Sequence, residues 1–219
     1  MNILILHNKY LIPGGEDYCF ENDVELLKSR GHSVFEIVLD NKEILKLGKL
    51  RTALRTIWSV DSYKIVKSFL KSTPCQFIIA HNLFPLFSPS VYHAVYLLKT
   101  PIIQVLHNYR ISCINGLFLR NNHICEDCVG KFFPWPGVIH KCYRNSFLGS
   151  LSVVMMLFVH RLLKTWNEKV NGYIALTDFA KNEYIQSGLP SNKIFIKPNY
   201  LYADPGKGEY KEKQACDSV

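Results

Sequence analysis

Three times in 219 residues an apolar run stops at the dipeptide His-Asn. Leu4-Ile5-Leu6 runs into His7-Asn8, Ile78-Ile79-Ala80 into His81-Asn82, and Ile102-Ile103-Gln104-Val105-Leu106 into His107-Asn108. With 8 His and 15 Asn in the chain, composition alone gives fewer than one such pair. A short run that is apolar without alternation suits a strand covered on both faces, as in a parallel α/β sheet. Parallel strands end at one edge, and open α/β sheets bind ligands in the crevice there. If the three strands are neighbours, their His-Asn pairs line one cleft.

The surrounding pattern agrees with that architecture. Ile3 to Leu6 is followed by Pro13-Gly14-Gly15-Glu16 and a helix with Phe20, Val24 and Leu27 on one face and Gly31 as its stop. Ser33 to Leu39 reads as a second strand, parallel to the first through a right-handed crossover. Leu47, Leu50, Leu54 and Ile57 form a helical stripe, with Trp58 beside it, and the expectation is that this stripe packs the helix on the sheet. A helix over Val60 to Lys71 leads to a strand at Gln76 to Ala80, and Ser88-Pro89 suits a helix start. Phe147 to Val170 is one long helical candidate whose apolar first half belongs in the core. Gly172 to Leu176 is a strand, Thr177 or Asp178 caps a helix stopped at Gly188, and Lys193 to Ile196 is a last strand. Residues 1–201 are expected to form one Rossmann-like, doubly wound, mostly parallel α/β domain with a cysteine loop at 108–145, and 202–219 a linker or tail.

Charge narrows the partners. The chain carries 26 Lys and Arg against 18 Asp and Glu. Lys42, Lys46, Lys49, Arg51, Arg55, Lys64, Lys67 and Lys71, opposed by Glu43 and Asp61, supply most of the excess. The rest is close to neutral, which argues against an extended nucleic-acid surface. A basic amphipathic helix with Trp at its edge also suits an anionic membrane surface. The N-terminus lacks a basic lead before its apolar run, and the longest uncharged apolar stretch, Asn145 to His160, is shorter than a spanning helix. The expected location is the cytoplasm, peripheral to the inner face of the membrane if the basic helix docks there.

His7, His81 and His107 can exchange protons near neutral pH, and Asn8, Asn82 and Asn108 can donate and accept hydrogen bonds. Such an edge suits a polyhydroxylated ligand such as a sugar. Gly14-Gly15 before a helix exposes backbone N–H groups able to hold a diphosphate. Glu16 and Asp17 at the same terminus complement the helix dipole and would repel a phosphate placed too close, so a hydroxyl-bearing acceptor is an equal candidate.

Cys113, Cys125, Cys128 and Cys142 lie in one loop, separated by eleven, two and thirteen residues. One Cys-x-x-Cys pair with two flanking thiols has the ligand number of a structural zinc site, although the outer two do not form a second such pair. Buried free thiols are the alternative. Glu126 and Asp127 between the paired thiols oppose a reactive thiolate, and Cys19, Cys75 and Cys216 stand apart.

Taken together these residues resemble the N-terminal half of a family 4 retaining glycosyltransferase of the GT-B fold. The resemblance rests on the first strand with Pro13-Gly14-Gly15-Glu16, Gly31-His32-Ser33-Val34, His81-Asn82, His107-Asn108-Tyr109-Arg110, Ile174-Ala175-Leu176-Thr177 and Lys197-Pro198-Asn199. A subset of that family, similar to sugar transferases of cell-surface polysaccharide assembly, carries a comparable cysteine loop. The resemblance implies transfer of a sugar from a nucleotide-sugar donor to a glycan or lipid-linked acceptor. His107 would then orient the donor sugar, and Gly14 and Gly15 would approach its diphosphate. His7, Asn8, Glu16, His81, Asn82, Asn108, Tyr109 and Arg110 would line the acceptor side. No catalytic metal is implied. The donor-binding domain of such enzymes is not found in this sequence, so the expectation is either that the sequence is a piece of a longer protein or that a separate polypeptide supplies that domain as a partner. A noncatalytic, metal-stapled module binding an anionic partner is the competing expectation.

Overall fold

The computed structural model describes residues 1–201 and 206. The linker expected over 202–219 lies outside the described residues, apart from Gly206. Strand β1 (Asn2–Lys9) leads through helix α1 (Gly15–Ser29) to β2 (Ser33–Asp40). Helices α2 (Glu43–Leu47), α3 (Lys49–Ile57) and α4 (Val60–Ser72) precede β3 (Phe77–Ala80), α5 (Ser90–Leu97) and β4 (Ile102–Leu106). The cysteine loop holds a small antiparallel hairpin, β5 (Leu119–Arg120) and β6 (His123–Ile124), and a short helix α6 (Pro136–Ile139). Then come α7 (Phe147–Leu162), α8 (Thr165–Glu168), β7 (Gly172–Ala175), α9 (Asp178–Gln186) and β8 (Ile194–Ile196).

The six long-range strands form one wholly parallel sheet in the order β2-β1-β3-β4-β7-β8. The chain winds outward from β1 to β2, then returns to place β3 on β1's other side. The topological switch point therefore lies between β1 and β3. Ile3, Leu4, Ile5 and Leu6 of β1 are all buried. Ile3 and Ile5 pack with Phe20 and Val24 of α1, whereas Leu4 and Leu6 belong to the large cluster with α4, α5 and α7. One central strand thus serves two helix layers, which is why its sequence does not alternate. Each of these side chains contributes roughly 1.5–3 kcal/mol by burial.

Three local expectations change. The basic segment breaks at Gly48, whose φ of 76° lies in the left-handed region, so α2 and α3 are separate helices. The long Phe147–Val170 candidate breaks at Lys164 (φ 48°) into α7 and α8. The leucine stripe of α3 does not pack that helix inward. Ala53 and Thr56 are its buried residues and α7 its neighbour, while Leu50 and Leu54 are 65% and 59% exposed. Small side chains let two helices approach closely, and here they override the apolar periodicity.

The α7–α8 break is held by two imidazoles meeting one hydroxyl. His93 Nε2 lies 2.9 Å and His160 Nδ1 3.0 Å from Thr165 Oγ1. His160 Nε2 donates to the Ile57 carbonyl at 2.9 Å, which leaves its Nδ1 to accept from Thr165. Burial pushes both histidines down to about 4. The unfolded chain then binds protons that the folded chain refuses between pH about 6.5 and about 4, so stability falls as pH falls through that window. Fully buried His160 alone accounts for up to about 3 kcal/mol of the loss, and half-exposed His93 for less. Urea unfolding across that pH range measures it, and a flat profile would refute the assignment.

Candidate functional site at the sheet's switch point

Because β1, β3 and β4 are adjacent, the three His-Asn pairs do meet at one edge. His7 and Asn8 still lie within β1, which runs on to Lys9 beside Asp40 of β2, whereas the other two pairs follow their strands. The histidines form a connected group. His7 and His81 stand edge to face at 6.2 Å between ring centroids, and His81 stacks on His107 at 5.3 Å. His81 Nδ1 lies 3.1 Å from His107 Nε2. Phe20 of α1 stacks on His7 at 4.6 Å and supplies the apolar floor.

Each histidine has an acidic neighbour from α1. His7 Nε2 donates to Asp17 Oδ1 at 2.9 Å, and His81 Nε2 approaches Asp23 Oδ2 to 3.5 Å without a directed hydrogen bond. With the His81 proton facing the carboxylate, His81 Nδ1 accepts from His107 Nε2–H, and His107 keeps a free lone pair on Nδ1. Burial lowers the pKa of all three below the usual histidine value, most for His81, where His107 and His7 add to it. Asp17 opposes the shift at His7, and Glu16 opposes it at His107. All three are therefore neutral near pH 7, so the edge offers lone pairs and N–H donors rather than positive charge.

Asn8, Asn82 and His7 are buried, and their side chains are spent inside the protein. Asn8 Nδ2 donates to Asn41 Oδ1 at 2.8 Å, and Asn82 Nδ2 donates to the Asn8 carbonyl at 3.0 Å. Asn8 and Asn82 brace the cleft floor, while His81 and Asn82 also border, with His107, Asn108 and Arg110, a small cavity of about 60 Å³. Half-buried His107 additionally borders a narrow crevice with Asp23, Lys197 and Tyr200.

The loop residues divide the same way. Asn108 Nδ2 donates to Glu16 Oε1 at 2.8 Å, and Tyr10 donates to Glu16 Oε2 at 2.8 Å, tying the glycine turn to the β4 edge. Tyr109 lies between Phe118 and Tyr184, its ring tilted against each. Arg110 lies over the Phe84 ring at 4.3 Å and donates to the Ile114 carbonyl at 3.2 Å, so it braces the cysteine loop. Gly14 N–H donates to Asp17 Oδ2 at 2.8 Å, so this amide already has an acceptor. Around both Gly14 and Gly15, a Cβ would meet nothing within 4 Å. The backbone is open to approach there, and Gly14 is extended rather than left-handed.

Sequence reading missed Asp23, Lys197 and Tyr200 as members of this edge. Lys197 Nζ and Tyr200 OH each donate to Asp23 Oδ1 at 2.9 Å, joining α1 to the segment after β8. The signal is present in part: the sequence offers Lys197-Pro198-Asn199 as a motif but not the partner that holds it.

The four loop thiols share one neighbourhood. Burial raises Cys128 to about 11, with Cys113, Cys142 and Cys125 adding to the effect. Four soft donors fit zinc chemically. Among the described residues no group of three His, Cys, Asp or Glu is already set as a metal site. Cys113 Sγ donates instead to Asn115 Oδ1 at 3.0 Å, and Cys128 Sγ faces the Pro134 carbonyl at 3.9 Å. On this geometry the purified protein keeps its melting temperature under a chelator and carries no stoichiometric zinc. About one zinc per chain, lost in Cys125→Ser, would overturn that and restore the stapled loop.

No family model matches the chain, and a search of curated proteins finds no match. Among solved structures the chain is similar to UDP-GlcNAc 2-epimerase from Neisseria meningitidis at 13% identity and a TM-score of 0.49, over 92% of this chain and 47% of that one. The corresponding figures for UDP-GlcNAc 2-epimerase from Methanocaldococcus jannaschii are 13%, 0.48, 90% and 45%. For Anabaena Alr3699/HepE in complex with UDP they are 17%, 0.44, 91% and 44%. The chain thus spans less than half the length of each.

Proposed function

We propose that this domain is the acceptor-side half of a GT-B glycosyltransferase, transferring a sugar from a nucleotide-sugar donor to a glycan or lipid-linked acceptor with retention. The observation that carries the reading is His107: a neutral imidazole at the end of β4, next to the switch point, backed by His81 and Asp23, with Lys197 beside the same crevice. The resemblance of the surrounding sequence supports the class of chemistry. In the reaction the anomeric C–O bond to the nucleoside diphosphate breaks, and the acceptor oxygen bonds to the same carbon on the same face. The acceptor proton leaves with the diphosphate.

In this reading His107 Nδ1 accepts from a hydroxyl of the reacting sugar and fixes its orientation, a positioning and electrostatic role. His81 and Asp23 hold His107 in the tautomer that leaves this lone pair free. The nucleotide pocket is assigned to a second domain, whether in the same polypeptide or in a partner.

Turnover assayed with a donor-binding domain present tests this. His107→Ala lowers kcat by about 10²–10³-fold, the usual cost of one oriented transition-state contact. Asp23→Asn has a smaller effect on kcat and alters the pH profile, because it acts through His81. Titration calorimetry with nucleotide sugars, glycans and lipid-linked sugars gives the independent reading. Absence of binding by all three classes, or binding unchanged in His107→Ala, removes the proposal.

A further inference from the structure

The exposed face of α2 and α3 is the largest feature that the proposed chemistry leaves unused. Leu45, Leu50 and Leu54 are 78%, 65% and 59% exposed, although Leu50 and Leu54 belong to the apolar stripe expected to be buried. The packing against α7 has taken Ala53 and Thr56 instead, so the leucines have no partner within the described fold. A groove of about 520 Å³ runs between these helices and the start of α7, bordered by Leu45, Lys49, Ala53, Pro85, Arg144 and Leu148. Phe147, next in sequence to the lining residues Ser146 and Leu148, is exposed.

The charges on this face are mostly positive. Lys46, Lys49, Arg51 and Arg144 are all exposed, and none has an ion-pair partner among the described residues. Glu43 is the acidic residue at the start of α2. Apolar side chains flanked by unpaired cations fit a surface that is anionic outside and apolar a few ångströms deeper. A second copy of the chain would set these cations against themselves. A nucleic acid would meet the cations but leave three leucines exposed beside it.

We propose that the α2–α3 face, with the groove and the start of α7, docks on an anionic phospholipid bilayer. Leu45, Leu50 and Leu54 enter the headgroup–acyl boundary, and Lys46, Lys49, Arg51 and Arg144 meet lipid phosphates. No helix among the described residues is long and apolar enough to cross a membrane, so the contact is interfacial. It does not depend on the sugar chemistry proposed above.

Vesicle co-sedimentation of the whole chain tests it, using phosphatidylcholine with and without phosphatidylglycerol. Partitioning should be at least about tenfold stronger with phosphatidylglycerol and should fall with salt. Lys46→Glu/Lys49→Glu/Arg51→Glu and Leu45→Ser/Leu50→Ser/Leu54→Ser should each weaken it by about tenfold or more while keeping the melting temperature, since these side chains are exposed. His107→Ala should bind vesicles as the parent does, which separates this test from that of the transferase. Equal binding to both vesicle types overturns the proposal. So does duplex DNA that displaces the protein from vesicles, or a dimer in light scattering that the leucine variant abolishes.

Discussion

Asn8 is the residue on which the geometry of the candidate site depends. It is fully buried near the end of the inner strand β1, and its backbone and side chain are paired on all sides. Its N–H donates to the Asn82 carbonyl at 2.8 Å, and its carbonyl accepts from Asn82 Nδ2 at 3.0 Å. Its side-chain oxygen accepts from Leu86 N–H at 3.2 Å, and its amide reaches Asn41 after β2. A parallel ladder ordinarily frays where its strands stop. Here one side chain continues the pairing across three segments, so His7 and His81 are held in fixed relation just where the sheet ends. Burying an amide is tolerable only when its groups are paired, and at Asn8 they are.

That arrangement separates two kinds of polar residue which look alike in sequence. All three pairs read His-Asn after an apolar run. Asn8 and Asn82 are structural, whereas Asn108 lies further out and links the β4 edge to Glu16. The histidines differ as well: His7 is closed off beneath Phe20, His81 is buried between the other two, and His107 reaches the crevice. The difference follows from position in the sheet. β1 is flanked by β2 and β3 and its ladder with β2 runs past His7, while β4 stops before His107.

The strand positions and the turn signals were legible because their causes are local. Gly31 and Gly188 hold positive φ at helix ends, and Thr177 Oγ1 accepts from Ala180 N–H as a cap should. The Asp23–Lys197 pair was not legible, because its members are 174 residues apart and neither belongs to a periodic pattern. The inward face of α3 was misread for another reason. Periodicity reports which residues are apolar, but close packing against α7 favoured Ala53 and Thr56 over the larger leucines. The cysteine spacing left a shared metal and separate buried thiols both open, because spacing does not decide whether sulfur atoms share one centre or hydrogen-bond to neighbouring oxygens.

Among the described residues, the buried side-chain atoms without a hydrogen-bond partner are His7 Nδ1, His81 Nε2, Arg110 Nε and Ser112 Oγ. Each such atom costs about 1–3 kcal/mol relative to a paired one. They are not scattered through the core: two belong to the histidine group, and two to the segment that leaves β4 beside it. A fold selected only for stability would pair these atoms or replace them with apolar groups. Their concentration at the switch point, beside Asn8 with every polar group paired, marks where stability gives way to polar chemistry. The same contrast orders the surface, where the leucines of α2 and α3 stay exposed although the core a helix away is well filled.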